Sequence, residues 1–124
     1  MKPAARRILH AGIFLVSLTA AAGAFAHAHL KQQQPAENAE VSVSPQQLTL
    51  GFSEGVEDKF SGVTLTGPNG SAVATGEAKR SPDNITQLIV PVKQALDAGT
   101  YTVSWHVVSV DGHKTKGQYR FSVK

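Results

Sequence analysis

The sequence predicts an all-β domain, an antiparallel sandwich or a small barrel of six or seven short strands. Downstream of residue 26, apolar residues recur with period two, turn-forming residues separate the runs, and no 3.6-residue helical period is visible. One local feature favours the sandwich. Leu96-Asp97-Ala98-Gly99-Thr100-Tyr101 places a tyrosine just after a tight turn, where a tyrosine corner bonds back to the upstream backbone.

The first element is not part of that domain. Lys2, Arg6 and Arg7 precede an apolar run from Ala11 to Val16, and small residues lead to Ala24-Phe25-Ala26. A basic start, a short apolar middle and an A-x-A exit predict a cleaved secretory signal peptide over 1–26 and an exported domain over 27–124. His10, Ser17 and Thr19 interrupt the run, which argues against a retained membrane anchor. The precursor carries a formal net charge of +3, with 12 basic and 9 acidic residues. Cleavage removes three of the basic residues and leaves nine of each sign, so the charge gives no reason to expect a nucleic-acid partner.

The elements then follow in order. Residues 27–44 are polar and begin extended, because Gln34 precedes Pro35. Leu48, Leu50 and Phe52 form a half-buried strand. Val63 and Leu65 form the next, closed by Gly67-Pro68-Asn69-Gly70. A short stretch at 72–74 precedes a polar loop from Lys79 to Asn84. Leu88, Val90 and Val92 form a strand that Pro91 places at an end or edge. Tyr101, Val103, Trp105 and Val107 share one face of a long strand, with Trp105 expected at the core centre. Tyr119, Phe121 and Val123 close the chain.

Candidate chemistry rests on histidines. The chain has no cysteine, and its one methionine is Met1, so no soft sulfur ligand follows the leader. Thiolate sites and cysteine nucleophiles are excluded. Cleavage after Ala26 would make His27 the N-terminus, offering an α-amine and an imidazole from one residue. Asp111-Gly112-His113 brings a carboxylate and an imidazole to one side if its backbone is extended. Nitrogen and oxygen donors without sulfur suit Cu(II), Zn(II) or Ni(II). His106 precedes His113 by seven residues and points away from the Trp105 face, so it is read as a solvent-facing strand residue.

These residues resemble a known family. The leader followed by His-Ala-His-Leu, Phe52-Ser53-Glu54, Phe60-Ser61-Gly62 and Ala98-Gly99-Thr100-Tyr101 is similar to the bacterial copper resistance protein CopC family. So is Trp105-His106-Val107-Val108-Ser109 with Asp111-Gly112-His113. The resemblance covers essentially all of 27–124. It implies a periplasmic, Ig-like, Greek-key sandwich of about seven strands that binds one Cu(II) and serves copper homeostasis or resistance as a buffer or carrier. It carries the ligands onto His27, Asp111 and His113, with His29 a secondary candidate. It also implies an inner-membrane copper protein of the CopD type as a partner. The methionine-rich Cu(I) site of some members cannot form here.

Two other readings compete. A terminal histidine paired with another is also the copper motif of polysaccharide monooxygenases, but the tyrosines and tryptophan needed for a sugar face fall at core positions. A metal-free interaction module leaves the coincidence of His27 with Asp111 and His113 unexplained. Prediction from the sequence therefore favours a binding protein and no enzyme.

Overall fold

The period-two runs pair into two sheets that share one core. The computed structural model describes residues 28–124; the expected leader over 1–26 and His27 lie outside the described residues. Nine strands are present among them: β1 Leu30–Gln34, β2 Glu40–Val41, β3 Gln47–Phe52, β4 Gly62–Thr66, β5 Ala72–Val73, β6 Lys79–Ser81, β7 Asn84–Pro91, β8 Gly99–Val108 and β9 Lys114–Val123. One sheet has the order β1-β3-β7-β6 and the other β2-β9-β8-β4-β5. All pairs are antiparallel except β2 with β9. The chain passes between the sheets five times, from β1 to β2, β2 to β3, β3 to β4, β5 to β6 and β7 to β8, which makes a sandwich and not a barrel. No helix among the described residues is long and apolar enough to cross a membrane.

The strand count exceeds the expected seven because three strands are only two or three residues long. Lys79–Asn84, expected as a loop, contains β6 and the turn into β7. β6 is a sheet edge with the sequence Lys-Arg-Ser, and charged edge strands carry no apolar alternation to read. Pro91 ends β7, where its missing N–H costs the ladder least.

Leu48, Leu50, Leu88, Val90 and Val103 are fully buried, with Phe121 1% exposed, and these residues form the core centre. Trp105 does not. It is half-buried, its ring meets Phe52 edge-on at 5.2 Å, and it covers Gly117 across the β8–β9 ladder. A Cβ on Gly117 would lie 2.7 Å from the indole. The period placed Trp105 on the correct face. Val107 and Ser109, farther along that face, are 1% exposed, so its partial exposure is local, at its ladder partner Gly117, which has no side chain to cover it.

The tyrosine corner is present: the Tyr101 hydroxyl donates to the Asp97 carbonyl at 2.7 Å. Tyr119, equally buried at 4%, has a hydroxyl with no hydrogen-bond partner among the described residues. The two tyrosines should therefore respond oppositely to loss of the hydroxyl. Tyr101→Phe is expected to lower stability by about 1 kcal/mol. Tyr119→Phe is expected to be neutral or stabilising, since no bond is lost and an unpaired buried group is removed. Urea midpoints at unchanged slope measure both; equal destabilisation would contradict the assignment.

Candidate metal centre

The loop between β8 and β9 carries Asp111 and His113, and a turn brings them together. The Gly112 N–H donates to the Ser109 carbonyl at 2.8 Å, closing a four-residue turn. Gly112 has φ of 90°, a region that side chains rarely adopt, so glycine suits this position. The sequence reading relied on an extended backbone at 111–113; the structure brings the pair together through this turn instead. His113 Nδ1 lies 3.3 Å from Asp111 Oδ1, and both side chains are 47% exposed.

Ser109 organises this turn. It is 1% exposed and bridges to Val56. Its hydroxyl donates to Asp111 Oδ1 and accepts from the His113 N–H at 3.1 Å. Its own N–H donates to the His113 carbonyl at 2.9 Å. The Ser109 hydrogen bond, reinforced by His113, holds the Asp111 carboxyl below its ordinary pKa, so it stays anionic throughout the neutral range. The sequence reading did not single out Ser109 as a site residue. A signal was available, because Ser109 shares the parity of Tyr101, Val103 and Val107 and is a polar residue at an inward position.

The start of the described chain lies at the same end. Ala28 is 1% exposed, and its carbonyl accepts the Thr115 hydroxyl at 3.0 Å. The next residue is fixed on the other side. The His29 N–H donates to Ser53 Oγ at 2.8 Å, and the Ser53 N–H donates to the His29 carbonyl at 2.8 Å. The Val110 N–H reaches the Gly55 carbonyl at 2.9 Å. Segment 53–56 therefore lies between the N-terminal segment and the Asp111–His113 turn and touches both.

Of the proposed ligands, the structure brings together Asp111 and His113. His27 lies outside the described residues. His29 is exposed, with its backbone committed to Ser53. His106 is exposed on β8 opposite Lys116, as expected, and away from the turn. No group of three His, Asp or Glu side chains able to hold a metal occurs among the described residues. The pair nevertheless fits one edge of a metal site. Two ligands at right angles, each about 2.0–2.1 Å from an ion, stand roughly 2.9 Å apart. The observed 3.3 Å needs only a small adjustment.

Comparison with known proteins agrees with this architecture. The CopC domain model matches residues 30–124. Protein YobA of Escherichia coli K12 is 52% identical over 124 residues, covering 100% of both chains. Copper resistance protein C of Escherichia coli is 39% identical over 108 residues, covering 82% of this chain and 84% of its own. The crystal structure of CopC from Methylosinus trichosporium OB3b superposes with a TM-score of 0.74 at 32% identity, covering 79% of this chain and 94% of that one. The match spans both sheets and the Asp111–His113 turn, and the chain belongs to the CopC family.

Proposed function

We propose that this chain binds one Cu(II) in the periplasm and serves copper homeostasis or resistance as a buffer or carrier, with no catalytic role. Copper is its cargo. In this reading the leader is removed after Ala26, and His27 offers its α-amine and imidazole. His113 adds a second imidazole and Asp111 a carboxylate that offsets the cation's charge. An inner-membrane copper protein is the proposed exchange partner.

One observation carries the site. Ala28 is buried and tied to Thr115, two residues beyond His113. That anchor sets the start of the described chain at the end of the sandwich that carries the Asp111–His113 turn, which supports His27 as a ligand in this reading. The donor chemistry supports the metal: nitrogen and carboxylate oxygen without sulfur favour Cu(II) over Cu(I). Family membership and a relative named for copper resistance support the role. The aromatic residues argue against a sugar-oxidising enzyme, since Tyr101 and Tyr119 are buried and Trp105 is half-buried.

Metal analysis and Cu(II) EPR test the reading, on protein whose N-terminus at His27 has been verified by mass spectrometry. One tetragonal Cu(II) per chain is expected. Ascorbate with a Cu(I) chelator should strip it, because reduced copper would lose a matched ligand set. Absence of bound Cu(II), or tightly retained Cu(I), would reject the assignment.

A further inference from the structure

We propose that the outer face of β8 and β9, beside the Asp111–His113 turn, is a docking groove for an extended acidic segment of a partner protein. The argument starts from charge. The outward residues of β4 are Gly62, Thr64 and Thr66, and those of β8 are Thr100, Thr102, Ser104, His106 and Val108. On β9 the outward row includes Lys114, Lys116 and Arg120. These three strands contain no carboxylate, although residues 27–124 carry nine acidic and nine basic side chains. In a chain with balanced charge, the acidic groups lie off these strands; those at the margin are Glu57, whose N–H donates to the Val108 carbonyl, and Asp111 in the turn. Glu40 lies at the far end of β9, opposite Ser122 and 3.7 Å from Lys124.

Shape and apolar surface restrict what can bind there. A hollow of about 450 Å³ is lined by Phe60, His106, Val108, Lys114 and Lys116, among others. Phe60 is 66% exposed, a large ring with little of its surface packed. The His106 ring rests on Gly62, its partner in the ladder, where a Cβ would come within 2.5 Å of it. A second hollow of about 490 Å³ shares His106 and Lys116 and continues to Ser104 and Gln118. From Lys114 to Gln118 the strand advances roughly 13 Å, the span of about four residues of an extended peptide.

β8 is an interior strand and β9 is flanked by β2 only at Ser122 and Val123, but an occupant lying on the face of the sheet, over the outward side chains, does not pair with their backbones. It must be recognised through side chains: carboxylates on the Lys114 and Lys116 ammonium groups, and an apolar residue against Phe60. A recess with an aromatic wall suits an inserted segment better than a flat lipid surface. The groove also has a defined direction. Val108 and Lys114 pair with each other and immediately flank the loop over 109–113. A partner held here would be positioned beside the Asp111–His113 pair. Binding in the groove requires no metal, so this inference stands or falls separately from the copper reading.

The test uses metal-free, ¹⁵N-labelled chain beginning at His27. The probe is a capped peptide alternating aspartate or glutamate with phenylalanine and valine. Amide shifts are expected at Phe60, His106 and 114–116, with binding that weakens as salt rises. The Lys114→Glu, Lys116→Glu double variant should bind at least about tenfold more weakly, since like charge now faces the ligand. Phe60→Ala should weaken it several-fold. All three positions are exposed, and unchanged melting would show that the variants fold. Lys93→Glu, beyond the far end of β7, should leave binding unaltered. Equal binding by the double variant, equal binding of an Asn/Gln version of the peptide, or shifts centred elsewhere would overturn the proposal. Preference for anionic phosphatidylglycerol vesicles over the peptide would overturn it too.

Discussion

A chain carrying one extra methionine ahead of His27 is expected to bind Cu(II) far more weakly than the chain that begins at His27. In the proposed site the α-amine and imidazole of one residue form a chelate. An added residue converts that amine into an amide, whose nitrogen is a poor donor at neutral pH, and the chelate is lost. Groups that merely orient a ligand are commonly worth about 10–100-fold in metal affinity. Losing a ligand itself should exceed that range. The pH dependence should change with it. The free amine titrates near ~8, so affinity for the authentic chain should fall as pH drops and protons compete for that nitrogen. The extended chain should show a weaker dependence over the same interval. Its thermal stability without metal should be unchanged, since Ala28 is held by Thr115 in either form. Competition with a chromophoric Cu(II) chelator measures the affinities. Equal values for the two chains would reject the terminal chelate.

Most of the sandwich was legible because its long strands obey a simple alternation. β3, β7, β8 and β9 place Leu48, Leu50, Leu88, Val90, Val103 and Phe121 inward at every second position. The tyrosine corner was legible because a turn and an aromatic residue stand at a fixed offset. The short strands were harder to read. β2 holds only two residues, and its parallel pairing with the end of β9 depends on chain segments some 80 positions apart. β6 is charged. For the site, residue types pointed to Asp111 and His113, but what holds them depends on tertiary contacts. Ser109 closes the turn, Thr115 anchors Ala28, and Ser53 anchors His29. Serine and threonine occur throughout the chain, and only the fold separates these from the rest. Trp105 shows the limit of periodicity, which gives the face of a strand but not what stands beside each residue: its ladder partner is Gly117, and it stays half-buried while Val107, nearer the strand end, is buried.

Substitution should separate two ways in which the N-terminal segment could hold copper. A terminus with histidine in third position can wrap Cu(II) by itself, using the amine, two deprotonated backbone amides and the third imidazole. That mode would use His27, Ala28 and His29 and would need neither Asp111 nor His113. The folded chain opposes it. The His29 N–H is already donated to Ser53 Oγ at 2.8 Å, and Ala28 is 1% exposed with its carbonyl held by Thr115. Wrapping would require removal of the His29 amide proton, loss of that bond and extraction of a buried residue. The proposed folded site leaves these contacts intact. His113→Ala and Asp111→Ala each remove a proposed ligand, so each is expected to weaken Cu(II) binding by more than about a hundredfold, beyond the range of orienting groups, and to alter the EPR spectrum. His29→Ala should be milder. Ser109→Ala provides an independent check, because it keeps every proposed ligand. It removes the buried hydroxyl that donates to Asp111 Oδ1 and accepts the His113 N–H, and should cost about 1 kcal/mol of stability. It also frees the Asp111 carboxylate to rotate, so Cu(II) affinity should fall by about tenfold, with Thr at 109 restoring part of it. A result in which only His29→Ala matters, with Ser109→Ala, Asp111→Ala and His113→Ala binding normally, would place copper on the terminal segment and reject the folded site.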